Sequence, residues 1–102
     1  TAEELKVQLL AQGKEKICRL ILYGSRARGT ASPDSDFDLL VIEADPVSKL
    51  DEMRRLRQAM HDLPYPVDVW VMGETEFEET KNVIGGLAYP AHKHGVILYE
   101  NA

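Results

Sequence analysis

The sequence contains one cysteine, no long apolar run and no surplus of basic residues. Cys18 has no second thiol to pair with, so no disulfide can form within these 102 residues, and a reducing, cytoplasmic setting is expected. No apolar stretch approaches the roughly 20 residues that span a bilayer. The formal net charge of −5 argues against stable nucleic-acid binding, which needs Lys and Arg concentrated on one face. These absences favour a protein that binds anions only locally, where a specific site compensates their charge.

The remaining composition is that of an ordinary globular domain. Hydrophobic residues make up 44% of the sequence and charged residues 28%, with no internal repeat and no linker, so residues 1–102 are predicted to form a single domain. Strands are predicted at 17–23, 36–43, 67–72 and 96–99, from β-branched and aromatic runs bounded by turn residues. Helices alternate with these strands, which predicts a small sheet covered by helices in an α/β or α+β arrangement.

Three helices are predicted from capping residues and apolar spacing. The first has a capping box at Thr1 and Glu4 and ends at Gly13. The second begins at Ser48, and the third at Thr75. The apolar positions of the second are Leu50, Met53, Leu56, Met60 and Leu63, and those of the third are Phe77, Val83, Ile84 and Leu87. Gly85 and Gly86 are expected to split or end the third helix. Cys18 and the core-facing strand residues are expected to be buried, and a turn is expected at 92–94.

Two acids open the second predicted strand. Asp36 and Asp38 are separated by one residue, so both carboxylates leave the same face, while Phe37 and Leu39 point to the other face. Two neighbouring carboxylates repel each other unless a cation neutralises them. Mg²⁺ is a hard ion that prefers oxygen ligands, which makes it the cation that this pair favours.

A third acid interrupts the next strand. Asp68 lies between Val67 and Val69, where a buried carboxylate needs a partner. A place beside Asp36 and Asp38 would supply that partner in the form of shared metal ions, and three carboxylates can hold two such ions. The competing interpretation is that Asp68 pairs with an arginine.

The turn before these acids suits a phosphate group. Gly24 allows close backbone approach, and Ser25 offers a hydroxyl and an N–H at the start of a short helical turn. Arg26 and Arg28 add positive charge that can brace phosphate oxygens. Each of these features alone is commonplace, but their order within about 45 residues is much more specific.

The segments 24–29 and 35–39, together with Asp68, resemble the nucleotidyltransferase superfamily that includes DNA polymerase beta, in particular its minimal nucleotidyltransferase branch. The resemblance implies the nucleotidyltransferase fold, a small mixed sheet flanked by helices. It implies that Gly24 and Ser25 hold a nucleoside triphosphate, that Asp36 and Asp38 bind Mg²⁺, and that Asp68 completes the metal site and helps deprotonate the acceptor hydroxyl.

The resemblance also implies a reaction and a partner. An acceptor hydroxyl would attack the α-phosphate of ATP, leaving AMP on the acceptor and releasing pyrophosphate. Larger members carry a helical domain that holds the acceptor, and a chain of this length has no room for one. Minimal members are commonly encoded beside a small helical HEPN-type toxin, and some act as antitoxins by transferring AMP to a tyrosine of that toxin, in complex with it. Two alternatives stay open: an antitoxin that acts by binding alone, through the segment 82–95, and transfer to a small molecule such as an aminoglycoside.

Overall fold

The computed structural model describes residues 2–29, 36–46 and 48–101, and for Lys14, Ser25 and Arg28 it describes the backbone only. Thr1, with its predicted cap, and Ser35 lie outside the described residues. The strands are β1 (Ile17–Tyr23), β2 (Phe37–Glu43), β3 (Val67–Gly73) and β4 (Val96–Glu100). The helices are α1 (Ala2–Leu10), α2 (Ser25–Arg28), α3 (Lys49–Ala59), α4 (Glu74–Thr80) and α5 (Ala88–His94), with a 3₁₀ turn at Lys14–Lys16.

The four strands form one mixed sheet in the order β3-β2-β1-β4. β1 is antiparallel to both β2 and β4, whereas β2 and β3 run parallel and are connected through α3. A parallel pair requires such a crossover, and a helix is its usual form. The predicted arrangement of a small mixed sheet flanked by helices is therefore confirmed.

Helices cover both faces of the sheet, so alternate residues of β1, β2 and β3 enter different cores. On one face, Leu20 and Leu39 pack with α1 and α3, whose Leu9 and Leu56 are fully buried. On the other face, the second core contains residues of α4 and α5 together with strand residues of the opposite parity. Its buried members are Ile21, Tyr23, Leu40, Ile42, Met72, Phe77, Ala88 and Ala91. Asp38 and Asp68 have the parity of this second core, which fixes the face on which they emerge.

The predicted start of the middle helix is confirmed. Ser48 is the N-cap of α3 and its hydroxyl accepts a hydrogen bond from the backbone N–H of Asp51. Leu56 and Met60 are buried as the spacing predicts, but Leu50 is 56% exposed, so its assignment to the apolar stripe was wrong. Leu50 lies in the first turn of the helix, before the helix reaches the core.

The prediction for the segment after β3 was partly wrong. α4 begins at Glu74 with Gly73 as its N-cap and ends at Thr80, so Val83 and Ile84 lie in the following turns and are exposed. A further helix, α5, replaces the turn predicted at 92–94. The glycines at 85 and 86 separate the two helices, and each helix then packs separately on the sheet.

Cys18 is partly exposed, which corrects the expectation of a buried thiol. Its Sγ lies 3.5 Å from Glu74 Oε2. Partial burial, followed by the hydrogen bond and the negative charge of Glu74, raises the pKa of the thiol and disfavours the reactive thiolate. The low reactivity of the Cys18 thiol therefore has two causes, its partial burial and the neighbouring carboxylate of Glu74. No helix within the described ranges has the length and apolarity needed to cross a membrane.

Glu43, the last residue of β2, is a buried acid that sequence reasoning did not single out. Only 2% of it is exposed, and within the described part of the chain its Oε2 has no hydrogen-bond partner. Burial, together with a hydrogen bond and the negative charge of Glu52, raises its pKa to about 7. Arg55 binds the Glu52 carboxylate at 2.7 Å and 3.3 Å, which lowers the pKa of Glu52. Below about pH 7, Glu43 is therefore the protonated member of this pair.

Protonation of Glu43 should make the fold less stable as the pH rises. The folded-state pKa of about 7 exceeds the ordinary value of 4.5, so the folded protein holds a proton that the unfolded chain releases between these values. The free energy of unfolding is expected to fall by about 3 kcal/mol as the pH rises through this window and to stay low above it. Glu43→Gln should remove most of this dependence and be more stable than the wild type at pH 8, as measured by urea unfolding at pH 5, 6, 7 and 8.

The control for this prediction is Glu79→Gln, the same substitution at an exposed position of α4. This variant should follow the wild-type pH dependence. A Glu43→Gln variant with the same slope as the wild type would show that Glu43 is ionised throughout this range.

Candidate active site

Asp38 and Asp68 lie opposite each other on adjacent parallel strands. They are register partners of β2 and β3, so their side chains leave the same face of the sheet. Phe37, the residue before Asp38, packs into the opposite core. Asp36 directly precedes β2 and is exposed. The structure thus places the three predicted acids together at one end of two neighbouring strands.

The charge balance at this end of the sheet is negative. Partial burial, and then the charges of Asp68 and Asp36, raise the pKa of Asp38 above its ordinary range. Tyr23 is the register partner of Asp38 on β1, and burial together with Asp38 and Asp68 raises its pKa to about 12. Like charges that perturb one another in this way create a place where a cation is favoured.

Gly24 provides the space that Asp38 occupies. Its φ is +75°, a left-handed conformation that L-residues rarely adopt, and a Cβ placed on it would fall onto the carboxylate of Asp38. The backbone therefore passes close to the acid only because residue 24 lacks a side chain. α2 begins with the next residue, Ser25, so the turn and a first helical turn adjoin the acids.

The two arginines of the turn differ in what the structure describes. The guanidinium of Arg26 lies over the ring of Phe37, 4.3 Å from its centroid. Phe37 directly precedes Asp38 on β2, but its side chain packs into the core on the opposite face of the sheet. The Arg26 guanidinium therefore contacts the face opposite the acids. The side chains of Ser25 and Arg28, both predicted to contact phosphate, lie outside the described residues.

Two side chains donate hydrogen bonds to Asp68: a tryptophan, and an arginine of the kind that the competing interpretation predicted. Trp70 Nε1 donates to Asp68 Oδ2 at 2.9 Å, and Arg57 Nη2 donates to Asp68 Oδ1 at 3.3 Å. Arg57 comes from α3, and the sequence analysis did not identify it as the partner of Asp68. The competing interpretation, an arginine partner for Asp68, is thus present together with the acid cluster. Trp70 shares the strand parity of Asp68, which was the available sequence signal for it, whereas Tyr23 lies opposite Asp38 only through the register of β1 with β2.

The donor set fits Mg²⁺, although the ligands do not form a closed shell. Within residues 2–29, 36–46 and 48–101, no three acidic, His or Cys side chains converge on one point as metal ligands would. Asp36, Asp38 and Asp68 nevertheless offer carboxylate oxygens, which a hard cation prefers, and the raised pKa of Asp38 reports repulsion that such a cation would relieve. Asp36 and Asp38 are free to hold the ion, and Asp68 would join them by releasing Arg57.

Comparison with known proteins identifies the family to which this chain belongs. The family model described as a nucleotidyltransferase domain matches residues 3–89, which include all three acids and the turn at Gly24. This chain belongs to the nucleotidyltransferase domain family. The match covers most of the sequence and ends within α5. No curated protein sequence matches the chain significantly.

Solved structures share the fold of this nucleotidyltransferase domain. A toxin–antitoxin crystal structure with AMP-PNP has a TM-score of 0.69 at 22% identity, over 97% of this chain and 73% of that one. The toxin–antitoxin MntA-HepT has a TM-score of 0.62 at 19% identity, over 98% and 71%. A protein from Sulfolobus solfataricus assigned as a nucleotidyltransferase has a TM-score of 0.58 at 21% identity, over 98% and 87%. At these identities the likeness establishes the fold.

Proposed function

We propose that this nucleotidyltransferase domain transfers AMP from ATP to a hydroxyl of a partner protein, a tyrosine of a HEPN-type toxin, and acts as the antitoxin in a complex with it. The observation that carries the proposal is the register pair of Asp38 and Asp68 with Gly24 packed against it. The family match supports nucleotidyl transfer, and the shared fold with toxin–antitoxin structures supports the partner class.

In the proposed reaction, the oxygen of the acceptor hydroxyl forms a bond to the α-phosphorus of ATP. The bond from that phosphorus to the oxygen bridging the α- and β-phosphates breaks, and pyrophosphate leaves with the electron pair. Asp68 accepts the proton of the hydroxyl. Because the phosphoryl group carries its charge through the transition state, positioning and charge neutralisation account for most of the catalysis.

Each site residue has an assigned role in this proposal. Asp36, Asp38 and Asp68 would hold two Mg²⁺ ions, which neutralise the carboxylates and polarise the phosphoryl oxygens when bound. Gly24 admits the triphosphate close to the backbone, and Ser25 binds its oxygens. Arg28 would add positive charge on the phosphate side, whereas Arg26 would have to leave the ring of Phe37 to do so.

Transfer can be tested with two positions of radiolabel. The protein is incubated with Mg²⁺, a HEPN-type protein as candidate acceptor, and ATP labelled at either the α- or the γ-phosphate. Label from α-labelled ATP alone should appear on the partner protein, since AMP transfer releases the γ-phosphate in pyrophosphate. Asp36→Asn and Asp38→Asn should each abolish labelling. Label from the γ-position would instead show phosphoryl transfer and contradict the proposal.

The same acids distinguish catalysis from neutralisation by binding. In cells that express the toxin, the variant carrying both Asp36→Asn and Asp38→Asn should no longer protect growth. Continued protection by this double variant, with the complex still formed, would establish binding as the antitoxin mechanism. Labelling of an aminoglycoside but not of the partner protein would establish small-molecule transfer. Both results contradict the proposal.

A further inference from the structure

The contacts of Asp68 divide into a strong one and a weak one. The hydrogen bond from Trp70 Nε1 to Oδ2 is 2.9 Å long and partly buried. The contact from Arg57 Nη2 to Oδ1 is 3.3 Å long, and the side chains of Arg57 and Asp68 are 42% and 40% exposed. An ion pair this exposed contributes little to stability because solvent screens it, whereas an indole N–H that loses its acceptor in a partly buried place has few replacements.

Arg57 does not depend on Asp68 to stay in place. Its Nε donates to the carbonyl oxygen of Val69 at 2.9 Å, and its guanidinium lies 5.1 Å from the centroid of the Trp70 ring. These two contacts fix the guanidinium against β3 whether or not Nη2 reaches a carboxylate. Arg57 can therefore release Oδ1 without a rearrangement of α3.

Asp68 faces a second set of interactions on its other side. It is the register partner of Asp38, and its charge contributes to the raised pKa of that residue. Arg57 Nη2 lies 3.3 Å from Asp68 Oδ1 and so offsets part of the negative charge of this pair of carboxylates. The guanidinium thus supplies part of the positive charge that a divalent cation would supply to these carboxylates.

We propose that Arg57 and Trp70 are positioning residues for Asp68: Trp70 keeps Oδ2 fixed, and Arg57 holds Oδ1 until Asp68 exchanges the guanidinium for Mg²⁺. The proposal rests on the proposed function, because it assumes that the acids bind Mg²⁺. It explains why the three acids are neighbours without forming a closed ligand set in the described chain. In this arrangement Arg57 competes with Mg²⁺ for Asp68, and Trp70 favours Mg²⁺ binding by orienting the carboxylate.

This division gives the two variants opposite effects on metal binding. Arg57→Met keeps an unbranched side chain over Trp70 but removes the competing cation, so half-saturation by Mg²⁺ should occur at a two- to fivefold lower concentration. Trp70→Phe keeps the ring beneath Arg57 but removes the donor that orients Asp68, so Mg²⁺ binding should weaken about tenfold. If Arg57 and Trp70 had only structural roles, the two substitutions would change the Mg²⁺ affinity in the same direction, or neither would change it.

The experiment measures Mg²⁺ binding directly on the full chain. Trp70 is the only tryptophan in the sequence, so its fluorescence reports on the hydrogen bond to Asp68 during a Mg²⁺ titration. Isothermal titration calorimetry serves for the Trp70→Phe variant, which lacks the fluorophore. Arg54→Met is the matched control: Arg54 lies on the same helix and pairs with Asp51 at 3.7 Å, so it removes the same charge without contact to Asp68. The Arg54→Met variant should bind Mg²⁺ like the wild type.

Three results would overturn the inference. Unchanged or weaker Mg²⁺ binding in Arg57→Met would show that the guanidinium does not compete, and an equal gain in Arg54→Met would reduce the effect to net charge. Unaltered Mg²⁺ binding in Trp70→Phe would show that Trp70 does not support the metal site. If Arg57→Met fails to fold, Arg57→Gln applies the same test. A wild-type protein that binds no Mg²⁺ would refute the proposed metal site as well, whereas Mg²⁺-dependent transfer with insensitive variants would refute this inference alone.

Discussion

Replacing Asp38 with Asn is expected to lower the rate of nucleotidyl transfer at least about a hundredfold while leaving the protein folded and more stable. The rate falls because Asn cannot supply the negative charge that holds the cations at the phosphates. The stability rises because the raised pKa of Asp38 reports an ionised carboxylate that burial, Asp68 and Asp36 disfavour. Initial rates with α-labelled ATP and thermal unfolding at pH 7.5 measure the two effects.

The opposite directions of these effects separate a site residue from a structural one. Asp62→Asn serves as the control, since Asp62 is an exposed acid in the turn after α3. The Asp62→Asn variant should keep both the wild-type rate and the wild-type melting temperature. An Asp38→Asn variant that retains a tenth or more of the activity would show that Asp38 is not part of the catalytic site.

Gly24→Ala is expected to reduce both stability and activity because its methyl group would fall onto the carboxylate of Asp38. The left-handed φ of +75° alone costs about 1 kcal/mol for alanine, and displacing the acid should add roughly 1 to 2 kcal/mol. A shift of the carboxylate by about 1 Å should slow transfer by ten- to a hundredfold. Chemical denaturation and initial rates with α-labelled ATP measure these losses.

Gly29 provides a matched control for the backbone contribution. Its φ is +73°, almost the same as that of Gly24, but a Cβ placed there meets no atom of the described residues within 4 Å. Gly29→Ala should therefore show the backbone cost without the clash. In an Asp38→Ala background, the cost of Gly24→Ala should fall to that of Gly29→Ala, because the colliding carboxylate is gone. Equal losses for Gly24→Ala and Gly29→Ala in the wild type would mean that the contact with Asp38 is unimportant.

The elements that sequence patterning located best are those with strong local signals. β1 has the predicted bounds at 17–23, and Ser48 caps α3 as expected. The pattern was weaker after Thr80, where one predicted apolar stripe became two short helices with Val83 and Ile84 exposed between them. Local spacing identifies an amphipathic segment, but it does not specify which apolar residues reach the sheet.

The sequence was informative about the acids and largely silent about their partners. Asp36 and Asp38 follow from spacing alone, because alternate strand residues share a face. The contacts from Arg57 and Trp70 to Asp68, and the burial of Glu43 against Glu52, join residues whose approach depends on how α3 lies across the sheet. No local pattern encodes that approach.

The sequence by itself determined the succession of the four strands along the chain, the family motifs and the acids that share one strand face, since each depends on neighbours along the chain. Tertiary structure decided the register that sets Asp68 opposite Asp38 and the close approach of Gly24 to that acid. It also decided that a guanidinium from α3 holds Asp68. These are distances between segments far apart in the chain, and they are fixed only when the strands pair and both faces of the sheet are covered.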